Sequence, residues 1–318
     1  MTRAKADAGE QLAIDDSQRP GAMQVRLQRR VRGGLIEFES APAGWLTQAG
    51  TPRLEDWRRY KFTPDETLAE LFEPGKRVTM PSVTTLCGAV LSKEGLLPWV
   101  EVETVAGTME AIRRGLVRRK MSDAEALAVL RDPDVGLGYE AARKTAAWRG
   151  ISLHELLADF MLTGQLPDPA DHPEAHRPYI QGLARWLLVV QPEPLAVEQL
   201  VCHPTAGYAG RLDLIARVGG KTILYDAKTN PFGQIFDAAH LQVTLLRDAE
   251  YATGDHEIDA LRLVAFDSRG SFREMDCIAP QDAGALATPF YRAMKPVIAE
   301  CGRQNQALKD RIIAELDA

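Results

Sequence analysis

Two aspartates stand either side of a Gly-Gly pair in the stretch 208–230, and a lysine follows two residues after the second of them. Acids and a lysine at this spacing can handle cations and phosphates if folding brings them together. Gly-Gly is a favoured two-residue hairpin loop, because both central residues take φ > 0. With Gly219-Gly220 as the loop, Val218 faces Lys221, and the register runs back until Asp213 faces Asp226. Side chains alternate along a strand, so Lys228 shares a face with Asp226, while Leu212, Leu214, Ala216, Ile223 and Tyr225 form an apolar opposite face. A turn over Pro204-Thr205-Ala206-Gly207 sets His203 opposite Tyr208 and Glu198 opposite Asp213. Three carboxylates then form a row across three strands. Directly opposed residues have Cβ atoms roughly 4.5–5.5 Å apart, where like charges repel, and a cation relieves that repulsion. Mg2+ or Mn2+ takes oxygen ligands and keeps waters for a phosphate. That suits phosphodiester hydrolysis, with Lys228 orienting the attacking water or stabilising developing charge. The plain alternative is a lysine neutralising two surface acids.

The stretch RGISLHELLADF (149–160) offers another ligand. Ser152 with Glu155 three residues on reads as a capping box, and Ile151 with Leu156 as its hydrophobic staple. His154 is then expected in the first turn of a helix, where the dipole favours the neutral, metal-binding imidazole. The alternative is a polar residue beside the apolar stripe of Leu153, Leu156, Leu157 and Phe160. The other five histidines have no comparable setting and read as structural.

The elements that must position these groups follow from periodicity. Helical patterns run from Pro81 through the stretches 84–99, 100–120, 122–132 and 138–148, with another over 174–191. Strands are expected at 196–203, 208–218 and 221–228, then a helix near 236–252, strands at 261–267 and 271–278, and a C-terminal helix from 280. Residues 36–80 mix short β-like pieces such as LIEFES with Pro and Gly breaks. Residues 1–35 are polar and end in the basic run Arg26, Arg29, Arg30 and Arg32, which reads as a mobile arm. The division is therefore an arm over 1–35, a β/helical region over 36–195 that includes the histidine, and an α/β core over 196–318, the last two forming one unit.

Bulk properties exclude several classes. The 318 residues are 45% hydrophobic and 26% charged with net charge −6, so nucleic acid must be met by local basic patches. Four scattered cysteines with no C-x-x-C pair argue against structural zinc and for free thiols in a reducing compartment. No apolar run reaches the ~18 residues of a membrane span. The N-terminus lacks a secretory core, and its acids argue against a transit peptide, so an intracellular, cytoplasmic protein is expected. GGKT at 219–222 lacks the upstream glycine of a phosphate-binding loop, position 215 being Ile, so no nucleotide cofactor is expected.

The ordered set His154, Glu198, Gly210-x-x-Asp213, Asp226-x-Lys228 and Gln242, with the local patterns RGxxxH and YAGRLD, resembles the RecB-like branch of the PD-(D/E)XK nuclease superfamily. Upstream, MPSVTTL (80–86) and Leu97-Pro98-Trp99 are similar to the opening segment of phage exonucleases and of the mitochondrial genome-maintenance exonuclease. The resemblance covers about Pro81 to Tyr251. It implies an α/β restriction-endonuclease-like core, a central mixed sheet flanked by helices, with an N-terminal helical subdomain. It further implies that His154, Asp213, Asp226 and the Ala227 carbonyl bind one or two Mg2+ or Mn2+ ions, with Glu198 as a metal or water-positioning acid and Lys228 catalytic. DNA is the implied partner, single-stranded or with free ends, together with a recombinase or single-strand-binding protein in bacterial or phage DNA processing. Leu246 replaces the tyrosine of the family's Q-x-x-x-Y motif, and the four-cysteine arrangement of the iron–sulfur relatives is lacking. Arg113, Arg114, Arg118 and Arg149, with Arg119 and Lys120, are candidate phosphate contacts; a solvated helix face accounts for the 113–120 run equally well. Trp99 and Trp148 are candidates for base stacking or for the core. A structure-specific endonuclease and a non-catalytic DNA-binding accessory protein are the competing readings.

Overall fold

The computed structural model describes residues 26–40, 58–91, 97–131 and 135–278, with the isolated positions 287, 289, 292, 293 and 311. Its first element corrects the expected arm. The basic run lies in a hairpin of β1 (Arg26–Val31) and β2 (Gly34–Ser40), turned at Arg32-Gly33, where Gly33 has φ 89°. Alternation explains the strand: Leu27 and Val31 pack inward between the arginines, and Arg29 reaches the carbonyl of Leu200 at 2.8 Å. β3 (Arg58–Pro64) and β4 (Val78–Met80) complete a four-stranded antiparallel sheet. Ile36, Phe38, Tyr60, Phe62 and Met80 form its buried face, closed by Leu200, Cys202 and Ala209. Residues 1–25 lie outside the described residues.

Helices follow. Ser82 caps α1 (Val83–Val90), its Oγ accepting from the Thr85 amide at 3.0 Å, while the Pro81 carbonyl accepts from the Ala209 amide. α2 (Leu97–Arg113) and α3 (Asp123–Arg131) pack on α4 (Gly138–Thr163). Gly107 and Gly138 allow that approach, since a Cβ on Gly107 would lie 2.3 Å from the Gly138 nitrogen. α4 is continuous, so Ser152 and Glu155 do not start a helix and His154 sits mid-helix, away from any dipole end. The expected capping box fails there because nothing breaks the helix upstream. The same motif works at Ser122 and Glu125, where the Glu125 carboxylate accepts from the Ser122 amide at 2.7 Å and the box opens α3. α5 (Arg177–Val190) leads into the second sheet.

That sheet has five strands, β5 (Glu193–His203), β6 (Tyr208–Val218), β7 (Lys221–Thr229), β8 (Ala260–Phe266) and β9 (Phe272–Asp276), in sequence order. Both predicted turns hold: Val218 faces Lys221 and His203 faces Tyr208. Gly219 and Gly220 have φ of 58° and 81°, as a tight hairpin demands. α6 (Asp237–Thr253) crosses back so that β8 runs parallel to β7, which makes the sheet mixed. Helices cover both faces. α4 and α5 pack Leu153, Leu157, Leu183 and Trp186 on Leu214, Ala216, Ile223 and Tyr225. α1 and α6 pack Leu86, Val243 and Leu246 on Leu212, Ile215 and Leu224. This alters the expected faces in two ways. The crossover helix buries the second face too, and Leu212 joins the layer opposite to Leu214. The alternation of β6 therefore breaks between them, at Asp213. Among the described residues, no helix is long and apolar enough to cross a membrane.

Candidate metal centre

The break at Asp213 has a partner on β5. Gln199 pairs with Leu212 and Val197 with Leu214, so Glu198 lies across from Asp213, yet Glu198 takes φ 47°. A non-glycine residue in the left-handed region is strained by about 1–2 kcal/mol, and such strain gathers at functional sites. The β6–β7 pairs end at Leu214 and Tyr225, leaving Asp213 and Asp226 next in the same register. There the Ala227 amide donates to Asp213 Oδ2 at 2.7 Å, tying the two strands through a carboxylate.

His154 enters from α4. Its Nδ1 lies 3.3 Å from Asp213 Oδ1 and 3.5 Å from Glu198 Oε1. One ligand atom from each of the three residues lies within 4.8 Å of the others. Arg211 Nε donates to Glu198 Oε2 at 2.7 Å, while Glu198 Oε1 is buried without a hydrogen bond. Asp226 is fully buried beside them. The Lys228 ammonium is 2.5 Å from Asp226 Oδ2 but off the hydrogen-bonding direction, so it acts as an ion pair and both Asp226 oxygens lack a directed bond. Cys87 of α1 is buried close enough to feel Asp226, and burial pushes its thiol up to about 12, an inert wall.

The charges push one another apart. Burial disfavours charge on every member. It raises Asp226, and the charge of Asp213 adds to that rise against the pull of Lys228. Burial would raise Asp213 too, but His154, Lys228 and the Ala227 amide hold it below its ordinary value. Burial opposes protonation of His154, yet the carboxylates of Asp213 and Glu198 hold it at about 10. Lys228 is raised, the pull of Asp226 and Asp213 outweighing burial. Three carboxylates thus share a site by borrowing a proton and a lysine.

The donor set fits a divalent cation: three carboxylates, one imidazole, and three buried carboxylate oxygens without hydrogen bonds. His154 must lose its proton to bind a metal.

Other sequence candidates lie as follows. Gln242 is half-buried on α6. Leu246 is buried above Gly210, where a Cβ would come 2.6 Å from its Cδ2, so the leucine that replaces the motif tyrosine is a core contact. Arg113 and Arg114 close on Glu110, and Arg118 Nε donates to the Gly115 carbonyl, all within one exposed surface. Arg149 stacks on Tyr179 and Trp148 against His176. The side chain of Trp99 and the expected C-terminal helix lie outside the described residues. Arg211 was missed, although it stands two residues before Asp213 in YAGRLD and period-two alternation places it on the same strand face.

No protein-family profile matches the chain, and no curated protein matches it. Among solved structures, a crystal structure of LHK-Exo in complex with dAMP is similar at 12% identity and TM-score 0.34, covering 72% of this chain and 94% of its own. The alkaline exonuclease LHK-Exo from Laribacter hongkongensis is similar at 16% identity and TM-score 0.28, covering 50% of this chain and 86% of its own.

Proposed function

We propose that this chain is a nuclease that hydrolyses DNA phosphodiester bonds with Mg2+ or Mn2+, acting from free ends of single strands. The observation that carries the reading is the meeting of His154, Glu198 and Asp213 beside a buried Asp226–Lys228 pair. A site for binding alone gains nothing from carboxylates that repel one another and the phosphate. His154, Asp213, Asp226 and Glu198 would hold the metal, with the Ala227 carbonyl as the further ligand that the family resemblance implies. A bound divalent ion makes water nucleophilic near neutral pH and screens charge on the phosphoryl group.

The chain's own residues do the rest. The Ala227 amide fixes the rotamer of Asp213, and Arg211 fixes that of Glu198, so the acids are set before a substrate arrives. Lys228 keeps its proton because two aspartates face it, and it places positive charge where negative charge develops. The preference for ends rests on the resemblance to the RecB-like nucleases.

The test is release of nucleotides from end-labelled linear single-stranded DNA in Mg2+, Mn2+ or EDTA, comparing wild type with Lys228→Ala. Release that needs metal and vanishes in the variant is expected, with a single-stranded circle left intact. A cut circle makes the protein an endonuclease. Retained DNA binding with no cleavage on any substrate leaves a binding module and ends the catalytic reading.

A further inference from the structure

Five residues before His154, α4 carries a cation without an anion. Arg149 lies over the Tyr179 ring, 4.2 Å from its centroid, and its Nε is buried with no hydrogen-bond partner. No carboxylate pairs with it among the described residues. A half-buried guanidinium with no counter-charge is costly unless something supplies one.

A second orphan stands beside it. His176 is 2% exposed at the start of α5, its ring 4.4 Å from that of Trp148, and its Nε2 has no partner. Trp148 precedes Arg149, and Tyr179 is one turn beyond His176, so the two contacts lock both nitrogens into one α4–α5 seam. The acid whose charge reaches Tyr179 is Asp267, and its Oδ1 is already taken by the Arg269 and Ser271 amides.

The seam lies next to the metal centre. A Cβ on Gly150 would sit 3.7 Å from Thr229 Oγ1, and Thr229 directly follows Lys228. We propose that Arg149 and His176 hold a phosphate of the strand being cleaved, beside the Lys228 end of the site. The inference rests on the nuclease reading for its substrate, but the two orphan nitrogens of the α4–α5 seam are observed independently of it. Arg149 and His176 donate to phosphate oxygens there, and they act as positioning residues that set which linkage meets Lys228.

The test uses the full chain with Arg149→Met, which keeps the stem on Tyr179, Arg149→Lys as the conservative variant, and His176→Gln, which keeps a donor. Inorganic phosphate is titrated calorimetrically in EDTA, so that metal plays no part. Single-stranded oligonucleotides with one neutral methylphosphonate linkage, moved stepwise, are then cleaved in Mg2+. Wild type is expected to bind phosphate and to show KM raised about tenfold or more at one linkage, the worth of a charged hydrogen bond. In Arg149→Met that peak and the phosphate signal disappear, and Arg149→Lys restores part of both. Cleavage by wild type with a flat scan, and variants that bind phosphate like wild type, overturn the inference and leave the nuclease reading intact; the orphan nitrogens then hold water. Phosphate binding that depends on Arg149 in a protein that cleaves no DNA sinks the nuclease reading instead and keeps the pocket.

Discussion

Glycine in place of Glu198 is expected to be more stable than alanine in the same place, and both are expected to stop the chemistry. Glu198 holds φ 47° inside a strand. Releasing a left-handed residue recovers about 1–2 kcal/mol. Either substitution at this position also removes the carboxylate that faces protonated His154 at 3.5 Å and Arg211 at 2.7 Å, a loss the two variants share. Glycine also gives the unfolded chain extra freedom worth about 0.5–1 kcal/mol. Alanine isolates the backbone part, because it removes the same carboxylate but keeps a Cβ. Glu198→Gly is therefore expected to exceed Glu198→Ala in stability by about 1 kcal/mol, the reverse of the usual order in a strand. Urea unfolding in EDTA measures this directly. Both variants should lose about 100-fold or more in DNA hydrolysis with metal, as when one charge-stabilising group is removed. A glycine variant less stable than the alanine variant would refute the argument from strain.

Three more outcomes are expected. Glu250 is fully buried and is held by His256 at 2.6 Å, Gln199 at 3.0 Å and Arg29 at 3.3 Å; Glu250→Gln should cost about 3 kcal/mol, read from urea midpoints. Burial alone would raise Glu250, but His256 and Arg29 bring it below the ordinary glutamate value. Its contribution is thus full above that value and lost as pH falls through the lowered one, and this acid slope should be missing in the variant. Gly210→Ala forces a Cβ onto Leu246 and should destabilise by about 1–3 kcal/mol. Adding Leu246→Ala should then cost less than it does in wild type, a coupling that a double-mutant cycle reads. Phe232 is 76% exposed four residues after Lys228, on a turn fixed by its amide on Asn230 Oδ1 and by Ser268 on the Pro231 carbonyl. Phe232→Ala should raise KM for single-stranded DNA by about 5- to 100-fold if the ring stacks on a base, and an oligonucleotide lacking that base should show no difference between the two proteins.

The strands and the register of the site were legible because two glycine-marked turns set them, and counting outward from a turn needs no tertiary information. Asp213 and Asp226 emerge from Gly219-Gly220 alone. What counting cannot supply is the left-handed kink at Glu198, which breaks the alternation of β6 and sends Leu212 to the other layer. His154 was found through the wrong local structure. Ser-x-x-Glu at 152–155 matches the motif that caps α3 at 122–125, and only the chain before it, helical or broken, decides between them. The small sheet was half legible: LIEFES alternates plainly, whereas the arginines of β1 hide the alternation of Leu27 and Val31. Arg149 and His176 carry no sequence signal as a pair, since α4 and α5 bring them together only in three dimensions.

The most direct test of the whole account is one Mn2+ titration, read both as bound ion and as cleavage of linear single-stranded DNA, on wild type and Asp213→Asn. The account predicts that the two curves rise together in wild type, and that the substitution weakens ion binding and abolishes cleavage in step. Cleavage that persists in Asp213→Asn, or tight Mn2+ binding by wild type with no cleavage at any concentration, would contradict it.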